Sequence, residues 1–393
     1  MNRSRLVRTC REQLVKQYAR RSAPRQVIEA VDNVMDQNIL TIAFARRFAT
    51  YKRANLLLRD PERLEAIINH PEKPVQFIFA GKAHPRDDEG KKLIQHLFAF
   101  ASRSSVRDRF VFMEDYDVHL ARHMVQGADI WLNTPRRPLE ACGTSGMKAS
   151  INGLMNVSTL DGWWCEGYSE EVGWAIGNGE EYRDHNYQDD VESQALYNIL
   201  ENEVIPCFYD RTNGGLPACW VKKMKAAMKM GMGQFCSLRM ISEYRDRFYA
   251  PAAENYDQLV GDQFKNAELL ASQLNRLKGL WHQIRIEAPT RDRRGPYHVG
   301  EDMRVSTIVH LGELTPEEVD VELYYGAFKD LDALYTGHVQ SMQVADRLDN
   351  NSYAYNCSLN CELSGRFGFS VRVVPHGDAW LKFTPGLISW AEE

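Results

Sequence analysis

Short, unbroken apolar runs alternate with amphipathic stretches through the first part of the chain. The apolar runs occupy residues 39–44, 75–80, 110–113 and 128–132, and residues 156–159 are interpreted as a fifth strand. Strands that are buried on both faces of a parallel sheet have this unbroken pattern, whereas half-exposed strands alternate. Helical stretches separate the runs, for example at residues 90–102 and 119–126. The alternation predicts an α/β fold with a doubly wound parallel sheet.

The segments on either side of these strands are mostly helical in pattern. Residues 3–36 predict two helices, with Pro24 between them. Residues 166–190 are acidic and rich in Gly and Trp, and they predict a long loop. Further helices are predicted at residues 194–204, 221–230, 237–248 and 255–280, with a break at Pro251.

The pattern changes to period two near residue 284. Runs of this kind cover residues 304–311, 319–325, 338–344, 352–359 and 367–374, with turn residues between them. Five short strands at this spacing predict a small antiparallel β-sandwich. Its aromatic residues could stack on sugar rings, although packing inside the sandwich is the favoured interpretation. They are Tyr324, Tyr325, Trp380 and Phe383.

Eight scattered cysteines show no C-x-x-C pair and no paired framework. They are interpreted as reduced thiols of a cytoplasmic protein. Cys207 with Cys219, or Cys357 with Cys361, could be metal ligands. No neighbouring His or Cys completes a set of four, so buried apolar side chains are the favoured interpretation.

Charge and hydropathy narrow the range of partners. The net charge of −5 gives no whole-protein preference for nucleic acid. No apolar run is long enough to span a bilayer, and the first ten residues lack an apolar signal core. The length of 393 residues suffices for two or three domains. We therefore expect a cytoplasmic protein with neither a nucleic-acid nor a membrane partner.

Charged and polar residues follow the predicted strands at their carboxyl ends, where ligands bind in doubly wound sheets. Two arginines and a lysine follow the first strand, which indicates an anionic substrate such as phosphate. The expected crevice residues are Arg46, Arg47, Lys52, Lys82, Asp115, Tyr116, Glu140 and Lys148.

A small-residue loop after the fourth strand leads into a helix that is predicted to begin near Met147. The loop is Gly143-Thr144-Ser145-Gly146, and Lys148 follows at once. Free amides at a helix N-terminus bind anions, most often phosphate. An ordinary strand–loop–helix turn with a surface lysine is the alternative, and the spacing alone leaves both open.

Two motifs resemble those of the glycogen/α-glucan phosphorylases. Glu140-Ala-Cys-Gly-Thr-Ser-Gly-Met-Lys148, followed by Ile151-Asn-Gly and Leu160-Asp-Gly, resembles the cofactor-lysine signature of that family. Arg46-Arg-Phe-Ala-Thr-Tyr-Lys-Arg53 resembles its basic phosphate motif. The shorter bacterial branch is most similar, because it also carries an appended C-terminal region like residues 281–393. The resemblance covers nearly the whole chain.

The resemblance implies a fold and a reaction. The family folds as two Rossmann-like domains that face each other across a cleft, which is the GT-B architecture. This chain would hold the Rossmann-like C-terminal domain of a GT-B glycosyltransferase, followed by a small all-β sandwich domain. The family uses pyridoxal 5′-phosphate (PLP) and inorganic phosphate to release terminal α-1,4-linked glucose as α-glucose 1-phosphate. The implied domains are a helical lead-in (1–38), a Rossmann-like PLP- and phosphate-binding domain (39–235), a helical connector (236–280) and the β-sandwich (281–393).

The resemblance also implies a role for each matching residue. Lys148 would hold PLP as a Schiff base, and Arg47 and Lys52 would hold the substrate phosphate. Arg46, Gly143, Thr144 and Ser145 would surround the cofactor phosphate, and Tyr116 would pack beside the cofactor. Glu140, Cys142 and Gly143 would bind glucose hydroxyls. Cys142 replaces a serine, Arg46 a lysine and Ser145-Gly146 a Gly-Asn pair, which we interpret as variation within the branch.

Only the C-terminal half of a phosphorylase is recognisable. The N-terminal domain would supply the rest of the glucose site and most of the α-1,4-glucan groove, whether the glucan is glycogen or maltodextrin. An exposed apolar cleft wall would favour pairing with that half or self-association as a homo-oligomer.

Two alternatives remain open at the level of sequence. One is a retaining glycosyltransferase that uses a nucleotide sugar, but such enzymes typically place a second glutamate eight residues after the first. Lys148 occupies that position, which favours the phosphorylase. The other is an inactive or partner-dependent glycan-binding fragment, which a failure to bind PLP would favour.

Overall fold

The computed structural model describes residues 2–211, 215–330, 333–334, 337–362, 364–377 and 379–392. The chain divides into two compact units, Met1–Arg245 and Asp246–Glu393. The four-segment division remains a prediction.

The first unit is built on a six-stranded parallel sheet. Its strands are β1 Leu40–Ala45, β2 Val75–Ala80, β3 Phe110–Met113, β4 Ile130–Asn133, β5 Met155–Thr159 and β6 Gly173–Ile176. Their order is β3-β2-β1-β4-β5-β6. Every residue of β1 to β5 is buried, which explains why β1 to β4 are mainly apolar. The predicted doubly wound sheet is confirmed, and its order reverses between β1 and β4.

Helices cover both faces of this sheet. They are α1 Asn2–Arg20, α2 Arg25–Glu29, α3 Pro61–Ile68, α4 Asp88–Ala101, α5 Val118–Gly127, α6 Thr144–Ile151, α7 Trp164–Gly167, α8 His185–Ile199, α9 Ile205–Tyr209, α10 Ala218–Gln234 and α11 Ser237–Tyr244. Successive β1 residues face opposite layers. Ile42 and Phe44 pack with α3, α4, α8 and α10, whereas Ala43 and Ala45 pack with α1, α5 and α6.

The prediction of a long loop at residues 166–190 is wrong. The sixth strand and the start of α8 both lie within it. The strand is only four residues long, and its buried Trp174 and Ile176 lie among Gly and acidic residues. A short edge strand of this kind gives too few apolar positions for a periodic signal.

The interpretation of all eight cysteines as reduced thiols is also wrong, because a disulfide joins Cys207 and Cys219. Their Cα atoms lie 5.9 Å apart, in the middle of α9 and in the first turn of α10. The adjacent side chains, Phe208 and Trp220, are buried edge to face with ring centroids 5.0 Å apart. This packing brings the cysteines together, and no sequence pattern records it. The other six form no disulfide within the described ranges.

The second unit begins with helices and continues as a β-sandwich. The helices are α12 Ala250–Val260 and α13 Lys265–Leu280, and a short α14, Ala379–Lys382, comes late in the unit. The predicted break at Pro251 is wrong, because α11, a π-helical turn at Arg245–Tyr249 and α12 follow one another in the chain without a gap. The interruption instead lies at Asp262–Phe264, where all three residues have positive φ.

Two antiparallel five-stranded sheets form the predicted sandwich. Their strands are β7 Arg285–Ile286, β8 Thr290–Arg291, β9 Asp302–His310, β10 Val319–Asp330, β11 Ala333–Leu334, β12 His338–Ser341, β13 Gln343–Arg347, β14 Ser352–Asn360, β15 Phe367–Pro375 and β16 Ser389–Trp390. One sheet runs β11-β10-β15-β16, with β12 also on β10, and the other runs β13-β14-β9-β7, with β8 on β9. The run predicted at residues 338–344 contributes a strand to each sheet, around the buried Met342.

None of the helices in the described ranges is both long enough and apolar enough to cross a membrane.

Candidate active site

Three of the predicted crevice residues meet where the sheet order reverses. Arg46 and Lys52 follow β1, and Glu140 lies in the connection from β4 to α6. Glu140 Oε2 accepts hydrogen bonds from Arg46 Nη2 at 2.5 Å and from Lys52 Nζ at 2.9 Å. All three side chains are largely buried, with exposed fractions of 7%, 11% and 12% for Arg46, Lys52 and Glu140. The ends of two adjacent strands therefore share one buried ionic cluster.

Arg46 has hydrogen-bonding capacity that its neighbours do not use. Its Nε and Nη1 are buried and have no partner among the described residues. Burial lowers the pKa of Arg46, and the nearby Glu140 carboxylate opposes that shift. Because a buried donor without an acceptor costs about 1–3 kcal/mol, an acceptor that a ligand supplies here would be stabilising.

The small-residue loop forms the N-terminus of α6. Gly143 is the N-cap with φ +87°, a conformation that favours glycine, and the helix starts at Thr144. Ser145 Oγ accepts a hydrogen bond of 3.2 Å from Trp131 Nε1 on β4, which fixes the first turn against the sheet. The first amides of a helix lack intrahelical partners and attract anions. This end of α6 therefore offers amides that an anion could accept hydrogen bonds from.

Asp161 braces the loop that carries Glu140, a role that the sequence analysis missed. Its Oδ2 accepts a hydrogen bond of 2.8 Å from the Glu140 backbone N–H, and its Oδ1 accepts one of 2.9 Å from Gly162 N–H. Asp161 is buried, and burial raises its pKa. Its position in Leu160-Asp-Gly was the available signal, but nothing in that triplet shows which amide the carboxylate contacts.

Arg47 and Lys148 have exposed side chains that could contact a ligand. Neither side chain makes a hydrogen bond or ion pair within the described part of the chain. Lys148 lies one turn after Thr144 on α6, and Arg47 follows Arg46 at the end of β1. Both cations are thus available to a ligand at this edge of the sheet.

The remaining predicted residues are less closely tied to this cluster. Cys142 is partly buried, and burial raises the pKa of its thiol. Tyr116 is half-buried after β3, and burial raises the pKa of its hydroxyl. Asp115 is engaged elsewhere, because it forms an ion pair with Arg20 of α1. Lys82 is exposed after β2.

The balance of charge favours an anionic ligand. Four basic side chains, Arg46, Arg47, Lys52 and Lys148, lie near the ends of β1 and β4, and two carboxylates, Glu140 and Asp161, accompany them. Phosphate is the common biological anion that suits arginine, lysine and a helix N-terminus together.

Two family models match this chain. One is described as carbohydrate phosphorylase and covers residues 7–202. The other is described as the glycogen phosphorylase C-terminal domain and covers residues 281–392. Both crevice motifs fall within the first match.

Curated relatives show the same similarity over most of the chain. The maltodextrin phosphorylase of Thermococcus litoralis is 41% identical over 384 residues, which are 96% of this chain and 44% of the relative. The glycogen phosphorylase of Mycobacterium tuberculosis is 38% identical over 374 residues, which are 95% of this chain and 43% of the relative. That of Aquifex aeolicus is 48% identical over 249 residues, which are 63% of this chain and 36% of the relative. The chain thus spans less than half the length of these relatives.

Proposed function

This chain belongs to the carbohydrate phosphorylase family, and from that premise we propose that it forms the PLP- and phosphate-binding half of an α-glucan phosphorylase. The reaction is phosphorolysis of terminal α-1,4-linked glucose to α-glucose 1-phosphate. The observation that carries the proposal is the buried Arg46–Glu140–Lys52 cluster beside the N-terminus of α6. Retaining glycosyltransferases that use a nucleotide sugar typically have a second glutamate eight residues after the first. Lys148 occupies that position here, which favours the phosphorylase.

The residues at this edge of the sheet suit PLP. The two unsatisfied nitrogens of Arg46 are donors for a phosphate group, and the first turn of α6 supplies further amides. We assign Arg46, Gly143, Thr144 and Ser145 to the cofactor phosphate, Tyr116 to the side of the cofactor and Lys148 to its covalent attachment. When bound, PLP supplies a phosphate group that relays a proton to the substrate phosphate.

The substrate phosphate is assigned to two basic side chains, Arg47 and Lys52. Arg47 is exposed and unpaired within the described ranges, and Lys52 hydrogen-bonds Glu140 in the buried cluster. Glycosyl transfer places positive charge on the sugar ring in the transition state, and fixed cations hold the phosphate anions beside it. These two side chains would therefore position the attacking phosphate.

Glucose hydroxyls are assigned to the loop that Asp161 braces. Glu140 Oε2 is occupied by Arg46 and Lys52, whereas Oε1 has no hydrogen bond to any described residue. Glu140 can thus accept a hydrogen bond from a sugar hydroxyl without leaving its cations. Cys142 and Gly143 lie beside it in the same loop.

The rest of the glucan site is assigned to sequence that the relatives carry outside the matched region. The chain matches 44% of the Thermococcus litoralis protein, so more than half of that relative has no counterpart here. We propose that this other half completes the α-1,4-glucan groove. Self-association and a cytoplasmic location stay predictions.

The first test is covalent attachment of PLP. The purified chain is incubated with excess PLP, treated with borohydride and digested, and the modified peptide is mapped. We expect PLP on Lys148 and none in Lys148→Ala, whereas Lys92→Ala, which removes an exposed lysine on α4, keeps the label. Equal labelling of Lys148→Ala, or no specific labelling of the unmodified chain, contradicts the proposal.

A further inference from the structure

A cavity of about 620 Å³ lies in the β-sandwich unit, which contains none of the residues assigned to phosphorolysis. It opens where β10, β12 and β15 of one sheet approach β9 and β14 of the other. Its volume is within the range of about 300–1,000 Å³ that is typical of small-ligand sites. The unit therefore holds a ligand-sized space of its own.

Three rings form a strip along one wall of this cavity. Tyr325 on β10 pairs directly with His338 on β12 and with Phe369 on β15. Side chains that stand opposite one another on antiparallel strands are neighbours on the same face. The Tyr325 and His338 ring centroids lie 5.5 Å apart, with an angle of 33° between the ring planes. All three rings line the cavity.

The facing sheet adds apolar surface, and one uncharged amide lies beside the rings. Met303 and Leu359, which pair across β9 and β14, supply the apolar surface. Gln340, two residues after His338 on β12, supplies the amide, and its Nε2 donates a hydrogen bond of 2.8 Å to the Ser358 carbonyl. That bond uses one of the amide's two N–H groups, so its oxygen and second N–H remain for a ligand.

The charge of the lining does not favour an ion. Arg291 and Glu362 line the cavity with opposite signs. A pyranose has an apolar C–H face that packs on aromatic rings and a hydroxyl edge that pairs with amides and hydroxyls. The strip of rings with an uncharged amide beside it matches that amphipathic ligand.

We propose that this cavity is a second carbohydrate site, which binds an α-1,4-glucan oligosaccharide separately from the phosphate crevice. The choice of an α-glucan among oligosaccharides rests on the proposed function. Binding at two places on one polymer would raise the local concentration of glucan at the reaction site. The sandwich would then hold the polymer while chain ends reach the crevice.

Calorimetric titration of the full chain with maltoheptaose tests the proposal. We expect His338→Ala and Tyr325→Leu to weaken binding about tenfold, because each removes a ring from the strip. His338 is exposed, so its replacement leaves the sandwich core intact, and circular dichroism checks both variants. Phe383→Ala is the matched control, since it removes an exposed aromatic ring of the same unit that does not line the cavity.

Binding that survives both cavity variants overturns the second site. Equal binding of cellohexaose overturns the α-glucan assignment. Maltoheptaose binding that depends on His338, in a chain that fails to attach PLP, would leave this site standing while the proposed function fails.

Discussion

At the scale of one residue, Arg46 shows how burial strengthens the attraction of an arginine for an anion. It makes one hydrogen-bonded ion pair, with Glu140, and two of its nitrogens stay buried without a partner in the described ranges. A solvated arginine at a strand end would satisfy those donors with water. Here both nitrogens are buried, so an anion that they bind gains more than it would at the surface.

Replacing Arg47 distinguishes the site assigned to the substrate phosphate from the site assigned to the cofactor phosphate. We expect Arg47→Ala to weaken binding of inorganic phosphate roughly ten- to a hundredfold, since a hydrogen bond to a charged group contributes about 1.5–3 kcal/mol. PLP attachment should be unchanged. Calorimetry with inorganic phosphate and borohydride labelling measure the two effects.

Arg25→Ala is the control, because it removes an exposed arginine on α2 that pairs only with Glu29 in the described structure. Loss of PLP from Arg47→Ala, with phosphate binding intact, would mean that the two phosphate assignments are exchanged.

At the scale of elements, the connection after β5 supports the connection after β4. Asp161 holds the Glu140 amide, and Trp163 N–H donates a hydrogen bond of 2.9 Å to the Cys142 carbonyl. Gly162 lies between these contacts with φ +55°. Hydrogen bonds on either side of Gly162 thus join the loop after β5 to the loop after β4. The orientation of Glu140 depends on this junction.

Gly162→Ala should break this junction. Its new Cβ would lie 2.4 Å from the Cys142 carbonyl oxygen, and the left-handed backbone adds about 1–2 kcal/mol of strain. We expect urea unfolding to show a loss of about 2 kcal/mol or more, together with weaker phosphate binding. Gly233→Ala in α10 meets open space and should be neutral or stabilising by about 0.5–1 kcal/mol. Equal effects of the two substitutions would contradict this account of Gly162.

The first helix is attached to the sheet through a buried carboxylate. Arg3 of α1 forms an ion pair with Asp129, whose Oδ2 also accepts a hydrogen bond of 2.9 Å from Thr41 N–H on β1. Burial raises the pKa of Asp129 from 3.8 to about 6, against the opposing effect of Arg3. The folded chain therefore binds this proton more tightly than the unfolded chain does.

The raised pKa gives a signed pH dependence. The contribution of Asp129 to stability is full below its unfolded pKa near 3.8 and is lost as the pH rises through about 6. Relative to Asp129→Asn, which does not titrate, the free energy of unfolding should fall by about 2 kcal/mol between pH 4 and pH 7. Urea unfolding of both proteins across that range measures it, and parallel curves would show that Asp129 does not titrate there.

At the scale of the whole molecule, the family models match the two ends of the chain, and the helices around residues 203–280 lie between them. The sheet unit holds the candidate phosphate crevice, and the sandwich unit holds the candidate glucan cavity. Each unit has its own hydrophobic core. Because each unit has its own core, the two candidate sites can each be held in place by a separate unit.

We expect phosphorolysis to require the half that the relatives carry in addition. The chain is co-expressed with the unmatched portion of the Thermococcus litoralis protein, and release of α-glucose 1-phosphate from maltoheptaose is measured. The pair should be active and either part alone inactive, because the groove is assigned to both halves. A pair containing Arg47→Ala is the negative control. Full activity of the chain alone would remove the need for a partner.

The sequence by itself determined the elements whose local pattern depends on burial. Five strands of the parallel sheet were predictable, four of them because burial on both faces favours consecutive apolar residues. The sandwich was predictable from alternation, because one face of each strand packs inward. The two basic and glycine-containing motifs were visible because their chemistry lies in contiguous residues, Arg46–Arg53 and Glu140–Lys148.

Only the tertiary structure decided which distant residues meet. The Cys207–Cys219 disulfide, the Asp161 contact with Glu140 and the ring strip around Tyr325 all join segments without a local signature. The short edge strand Gly173–Ile176 likewise gains its place from its pairing with β5. A sequence pattern records whether a residue is buried, whereas the identity of its neighbour depends on how the helices and sheets pack.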